Sequence, residues 1–207
     1  MIEQQNVEPA TESQPSADDV PASLSEKAIV YLVMASVLLV DILSKLAVES
    51  RIQLNTTWMP IEALVPIFRI THVSNTGAAF GLFPSGGNLF LIVGIVVSVF
   101  IIVFNTRLPA NHYLYRVALG LQLGGALGNL LNRLRIGHVT DFLDFGPWPI
   151  FNVADMCVVA GVLLLAFLML RDERRMQAEN NRLQSEAVLA EKPDAENGDD
   201  QTMLKNE

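Results

Sequence analysis

Two aspartates, Asp141 and Asp155, flank a short stretch that carries Phe142, Phe145, Trp148 and Phe151. Two carboxylates in a partly dry site cannot both ionise cheaply, so one pKa rises and the pair shares a proton. The ionised member can take a proton from water while the protonated member donates to a carbonyl oxygen. Such a pair can hydrolyse an amide without a metal or a nucleophilic side chain. Pro147 and Pro149 break the chain between the two aspartates, and the connection is short. It must return the chain close to where it left, so Asp141 and Asp155 can meet. The competing reading is an ion pair of one aspartate with Arg133 or Arg135. Asp144 fits that ordinary role, or faces water.

Three further groups carry polar atoms into apolar surroundings, where each is costly and hence a functional candidate. Asp41 and Lys45 are four apart and share a helix face. They either neutralise each other or help to position a site. Asn129 and Arg133 have the same spacing, downstream of Gly120, Gly124 and Gly128, which form a bare stripe that lets another helix approach closely. Arg133 can orient a carboxylate or a substrate carbonyl. Asn152 and Asp155 are three apart and share a face at the start of a helix.

Other chemistries find little support. His72, His112 and His138 lie on different segments and make no metal-ligand spacing with the single cysteine, Cys157. Cys157 sits in an apolar run and reads as a small buried core residue. One cysteine excludes an intrachain disulfide. Ser44 and Ser74 lack a histidine–aspartate arrangement, although His72 is near Ser74. No phosphate loop or zinc-peptidase motif occurs. The arginine patches are too short for nucleic acid and are accounted for by membrane topology. No metal and no cofactor is expected.

These residues must be held by membrane elements. Of the 207 residues, 51% are hydrophobic and only 17% charged, below the roughly 25% usual in soluble domains. Apolar segments run over about 28–48, 88–104, 114–131 and 150–170, each near the ~20 residues needed to cross a bilayer. The third is the least hydrophobic, which suits a helix enclosed by the others. The expected fold is an all-α integral membrane protein, a four-transmembrane-helix bundle. Outer loops cover 49–87 and 132–149, and a strand-like run Ile67 to Val73 predicts a small extracytoplasmic sheet.

The formal net charge of −8 resides in the tails. Residues 1–25 and 172–207 are polar and acidic and are expected to be largely disordered, with a charged helix extending from Arg171 towards Glu186. The first tail has no basic n-region, so the first apolar segment reads as an uncleaved anchor. Lys27, Arg107, Arg116, Arg171, Arg174 and Arg175 fall on one side of the membrane. Arg51, Arg69, Arg133 and Arg135 fall on the other. The bias places both termini in the cytoplasm. Trp58 and Trp148 lie in the outer loops, at headgroup level.

Over about 28–170 the chain resembles bacterial lipoprotein signal peptidase, the type II signal peptidase. The resemblance rests on Asp41 to Lys45, on Ser74-Asn75-Thr76-Gly77-Ala78-Ala79-Phe80-Gly81, and on Gly124 to Arg133. Gly137 to Phe142 and Phe151-Asn152-Val153-Ala154-Asp155 complete it. It implies an aspartic endopeptidase with Asp141 and Asp155 as its catalytic dyad. Asn75, Gly77, Asn129, Arg133, Asn152, Asp41 and Lys45 would support the dyad or bind substrate. The substrate would be a diacylglyceryl-modified prolipoprotein, cut just before its lipidated cysteine. The outer loop with Asn75 would lie along the membrane and cradle the peptide. The enzyme would be a monomer in the bacterial inner membrane, surrounded by lipid, with its site on the periplasmic side.

Two positions depart from the family pattern. Asn132 stands where the family has Asp, and it cannot act as a base or pair ionically with Arg133. Ile42 replaces a Gln, which removes one polar contact near the substrate. The connection between the two aspartates is also shorter than in some members. The alternatives are an inactive relative or scaffold, and a proton-coupled carrier. A carrier is disfavoured because both aspartates lie near one membrane surface, not at the midplane. A scaffold leaves the polar residues at the outer ends of three helices without a reason.

Overall fold

The computed structural model describes residues 20–77 and 87–190. Ala78, Ala79, Phe80 and Gly81 of the outer-loop motif, most of the first tail and the end of the second lie outside the described residues. The chain divides into two compact units, 1–165 and 166–207.

The described elements are four α-helices, three strands and a short 3-10 turn, Glu62–Leu64. The helices and strands are α1 (Leu24–Arg51), β1 (Thr57–Trp58), β2 (Arg69–Asn75), α2 (Gly87–Arg107), α3 (Tyr113–Ile136), β3 (Val139–Asp144) and α4 (Val153–Ala190). The helices α1, α2 and α3 overrun their apolar segments at both ends and α4 at its C-terminal end, where polar and charged turns extend the helix past the hydrocarbon-length core. Ser23 begins α1 with a capping box: its hydroxyl takes the Glu26 N–H, and the Glu26 carboxylate takes the Ser23 N–H at 2.8 Å. The fourth helix continues through the charged stretch to Ala190, beyond the Glu186 expected from sequence and into the tail read as largely disordered.

Three helical stretches, Leu24–Arg51, Leu89–Arg107 and Val153–Leu189, are long and apolar enough to cross a membrane. The remaining expected segment, over about 114–131, lies on α3 and does not meet that composition. The helix α3 has the length but not the composition, since it carries Arg116, Gln122, Asn129, Asn132 and Arg133. Its Ala118, Leu119, Leu123 and Leu130 are buried, as are four of its glycines. An enclosed helix has no need of an apolar surface.

The glycine stripe does what its spacing predicts. A Cβ on Gly120 would stand 2.7 Å from Val33 Cβ, and one on Gly124 would stand 2.6 Å from Val37 Cβ. The two helices therefore touch backbone to side chain, with no room for a methyl group. The stripe ends at Gly128, where a Cβ would meet Asp41 Oδ2 at 2.6 Å. The inward face of α1 runs Val30, Val37, Asp41, Lys45 and Val48, turning from apolar to polar at the depth where the glycines end.

The strands form one antiparallel sheet in the order β1-β2-β3. Val73 pairs with Asp141, Ser74 with Thr140, and Asn75 with Val139. The expected strand around Ile67 to Val73 is present as β2, shifted to Arg69–Asn75. The strand β3 was not expected: Val139 to Asp144 reads as part of a connection in the sequence, yet it pairs along β2. Gly137, with φ of 80°, ends α3 in the left-handed conformation and turns the chain into β3.

Candidate active site

The site begins on α1. Asp41 and Lys45 are almost fully enclosed, and Lys45 Nζ reaches Asp41 Oδ2 at 2.8 Å. Each also holds a second element. Lys45 Nζ donates to Asn129 Oδ1 on α3 at 2.9 Å. Asp41 Oδ1 accepts the Ala154 N–H at 3.0 Å, which is one of the open donors of the first turn of α4. The pair thus ties the ends of three helices together, beyond neutralising itself.

Asn152 and Asp155 begin α4. The Asp155 N–H donates to Asn152 Oδ1 at 3.0 Å, and the Asn152 N–H points at Asp155 Oδ2 at 3.3 Å. Asn152 Nδ2 continues to Asp141 Oδ1 at 2.6 Å and to Asn129 Oδ1 at 3.2 Å. Asn129 Nδ2 donates to Asp155 Oδ1 at 2.7 Å. From the sheet, Asn75 Nδ2 donates to Asp141 Oδ2 at 2.8 Å, and the Gly77 N–H holds Asn75 Oδ1 at 3.0 Å. Every oxygen of both aspartates accepts an N–H, and each asparagine amide is fixed in one orientation by what it accepts. The two carboxylates, fourteen residues apart in sequence, are therefore joined through one residue, Asn152, whose side chain reaches Asp141 and whose backbone N–H reaches Asp155.

Asp141 is 2% exposed. Burial, and next the charge of Asp155, push its pKa up to about 6, against the pull of the Asn75 and Asn152 amides. Three carboxylates, Asp41, Asp141 and Asp155, face two cations, Lys45 and Arg133, in this region. One proton shared between Asp141 and Asp155 would make the cluster neutral. That is the protonation state in which one carboxyl is an acid and the other a base.

Arg133 makes no ion pair with either aspartate among the described residues. Its guanidinium lies over the Phe90 ring at 5.4 Å, and its buried Nε has no partner among the described residues. It acts on Asp141 and Asp155 only through its charge. Asp144 has the ordinary role, but its partner is neither Arg133 nor Arg135. Arg69 donates to it twice, at 2.8 and 3.1 Å, and Thr71 once at 2.8 Å. These bonds hold the Asp144 carboxyl below the usual range. His72 Nδ1 is bonded to the Ile52 carbonyl oxygen at 2.7 Å, not to Ser74. Cys157, expected to be buried, is partly exposed. Ile42 is exposed on the outer face of α1. Among the described residues no group of His, Cys, Asp or Glu could hold a metal ion.

Sequence reading missed a second cluster, made by Glu49, Asn132, Arg135 and Thr140. Arg135 Nη2 reaches both Glu49 oxygens, at 2.6 and 2.7 Å. The Thr140 hydroxyl donates to Glu49 Oε1 at 2.5 Å, and the Thr140 N–H donates to Asn132 Oδ1 at 2.6 Å. The signal was available: Glu49 lies one helical turn beyond Lys45 on the same face of α1.

Comparison with known proteins places the chain in a family. The family model for signal peptidase (SPase) II matches residues 33–171. A lipoprotein signal peptidase of Moorella thermoacetica is 43% identical over 134 residues, covering 65% of this chain and 87% of the relative. One from Pelotomaculum thermopropionicum is 39% identical over 152 residues, covering 73% and 98%. Among solved structures, a bacterial membrane enzyme determined by the in meso method at 2.3 Å resolution superposes with a TM-score of 0.65 at 25% identity, covering 74% of this chain and 93% of that one. The match spans both aspartates and Asn75, Asn129 and Asn152, which hold them, and on it the chain belongs to the signal peptidase II family.

Proposed function

We propose that this protein removes signal peptides from diacylglyceryl-modified prolipoproteins, cutting before the lipidated cysteine, with Asp141 and Asp155 as an aspartic dyad. The observation that carries the reading is the joining of the two carboxylates through Asn152, with Asp141 buried. The family of the chain supports the substrate class.

In the first step the ionised carboxylate takes a proton from water, and the water oxygen bonds to the scissile carbonyl carbon. The protonated carboxyl gives its proton to the carbonyl oxygen. A neutral tetrahedral diol results, and the dyad has exchanged its proton between members. Collapse of the diol returns a proton to the dyad while the other carboxyl protonates the leaving nitrogen. The amides of Asn75, Asn129 and Asn152 keep both carboxylates in place throughout, at no cost of reorganisation. Arg133, with an unspent Nε–H beside the dyad, donates to a substrate carbonyl.

The placement follows the same logic. The helix α3, enclosed by the apolar helices, makes a fourth crossing, so both ends of the chain are cytoplasmic and the dyad faces the periplasmic side of the bacterial inner membrane. The basic residues near the helix ends support this orientation. The enzyme works as a monomer embedded in lipid.

The test is cleavage of a lipid-modified prolipoprotein by the purified protein in detergent. Asp141→Asn and Asp155→Asn each lower the rate by about a thousandfold or more, while insertion and melting temperature persist. Wild-type cleavage by either variant would remove that residue from the dyad. A folded wild type that does not cleave points to an inactive relative.

A further inference from the structure

A strand presents successive side chains to opposite faces, and a slip of one residue turns every side chain over. The strand β3 carries Asp141 on the face that meets Asn75 and Asn152. Its neighbour Thr140 points the other way, to the ends of α1 and α3, where Glu49 and Asn132 hold it. Pairing between β2 and β3 is irregular between Ile70 and Val73, beside the catalytic register. Backbone pairing alone leaves that register weakly specified.

We infer that Glu49, with Arg135, Asn132 and Thr140, is a positioning clamp that sets the register and face of Asp141 for the reaction. The inference rests on the dyad reading above. Thr140 is fully buried and spends both its hydroxyl and its N–H on the clamp, so it has no alternative partner to slip towards. Arg135 fixes Glu49 through both oxygens, leaving Oε1 aimed at Thr140.

The clamp also gives Asn132 a specific reason. Its Oδ1 accepts the Thr140 N–H, and its side-chain amide lies against the Glu49 carboxylate. An aspartate there would keep the acceptor but lose the donor, and would set a second carboxylate against Glu49. Asn132 and Glu49 are therefore a matched pair in this chain, and neither touches the reacting atoms.

The experiment measures kcat, KM and melting temperature in detergent, well below the melting transition. Glu49→Ala and Thr140→Val are expected to lower kcat by about tenfold to a hundredfold, the scale of small misplacements of a catalytic group, with KM unchanged. Thr140→Ser, which keeps the hydroxyl, is expected to restore most of kcat. Asn132→Asp is expected to lower kcat, and adding Glu49→Gln to restore it. If Glu49→Ala does not fold, the two Thr140 variants decide. A kcat at the wild-type level in Thr140→Val or Glu49→Ala, beside an inactive Asp141→Asn, overturns the clamp and leaves the dyad standing. Cleavage by Asp141→Asn overturns both.

Discussion

Asn152 and Asp155 cap each other. The Asn152 side chain takes the Asp155 N–H, and the Asp155 carboxylate takes the Asn152 N–H. This is a capping box at the start of α4, in the arrangement that Ser and Glu make at the start of α1. A carboxylate assigned to chemistry thus also closes a helix end, and the helix end fixes its direction. The remaining Asn152 donors go to Asp141 and Asn129.

Capping and catalysis can be separated at Asn152. Serine is as good an N-cap as asparagine, but it has no amide to reach Asp141. Asn152→Ser should therefore keep the cap, lose about 1–3 kcal/mol with the buried amide bonds, and lower kcat by about tenfold or more. Asn152→Ala should lose about 1 kcal/mol besides. Thermal melts and steady-state kinetics on the same preparations test this, and a fully active Asn152→Ser enzyme would show that the bond to Asp141 is idle.

The pKa of Asp141 sets a pH dependence. Burial and the Asp155 charge raise it to about 6, so the proton shared by the dyad departs as pH rises through that value. In the proposed mechanism that proton is the acid, so kcat/KM should fall on the alkaline side of about 6 by tenfold per unit. The stability sign agrees. A carboxyl whose folded pKa lies above its unfolded one contributes its full stability below the unfolded value, 3.8, and that contribution is lost as pH rises to about 6. The Asn75 amide lowers this pKa. Asn75→Ala should move the alkaline limb to higher pH, and a shift to lower pH would contradict the assigned hydrogen bond.

Much of the site is legible in the sequence because membrane segments make polar residues conspicuous. Asp41, Lys45, Asn129 and Asn152 stand at helical spacings in apolar runs, and the structure brings them to one place. What spacing cannot give is a partner across elements. The sequence left Asp41 and Lys45 between self-neutralisation and positioning, and only the bonds to Ala154 and Asn129 reveal the second contact of each. The strand β3 is hidden for a related reason. Val139 to Asp144 is buried at nearly every position, so it lacks the alternation that marks a half-exposed strand. Glu49 does not stand out in the sequence because it lies at a helix end, where a carboxylate is usually solvated. Arg133 does not make the ion pair that its position allowed, since Phe90, on the preceding helix α2, takes its guanidinium face.

Lys45 tests whether the α1 pair supports the fold, the chemistry or both. Lys45→Met leaves Asp41, fully buried, without its cation. Removing one member of a buried ion pair costs about 3–5 kcal/mol, so the melting temperature should fall sharply. Adding Asp41→Asn removes the stranded charge, and the amide oxygen can still accept the Ala154 N–H that Asp41 Oδ1 now holds. The double variant should therefore recover most of the stability. It should not recover activity, because Asn129 Oδ1 still lacks the nearer of its two donors, Lys45, which with Asn152 sets which end of the amide faces Asp155. Melting curves and kcat on the single and double variants decide the point. Recovery of both stability and kcat would make the pair purely structural, and recovery of stability alone would place Lys45 in the positioning of the dyad.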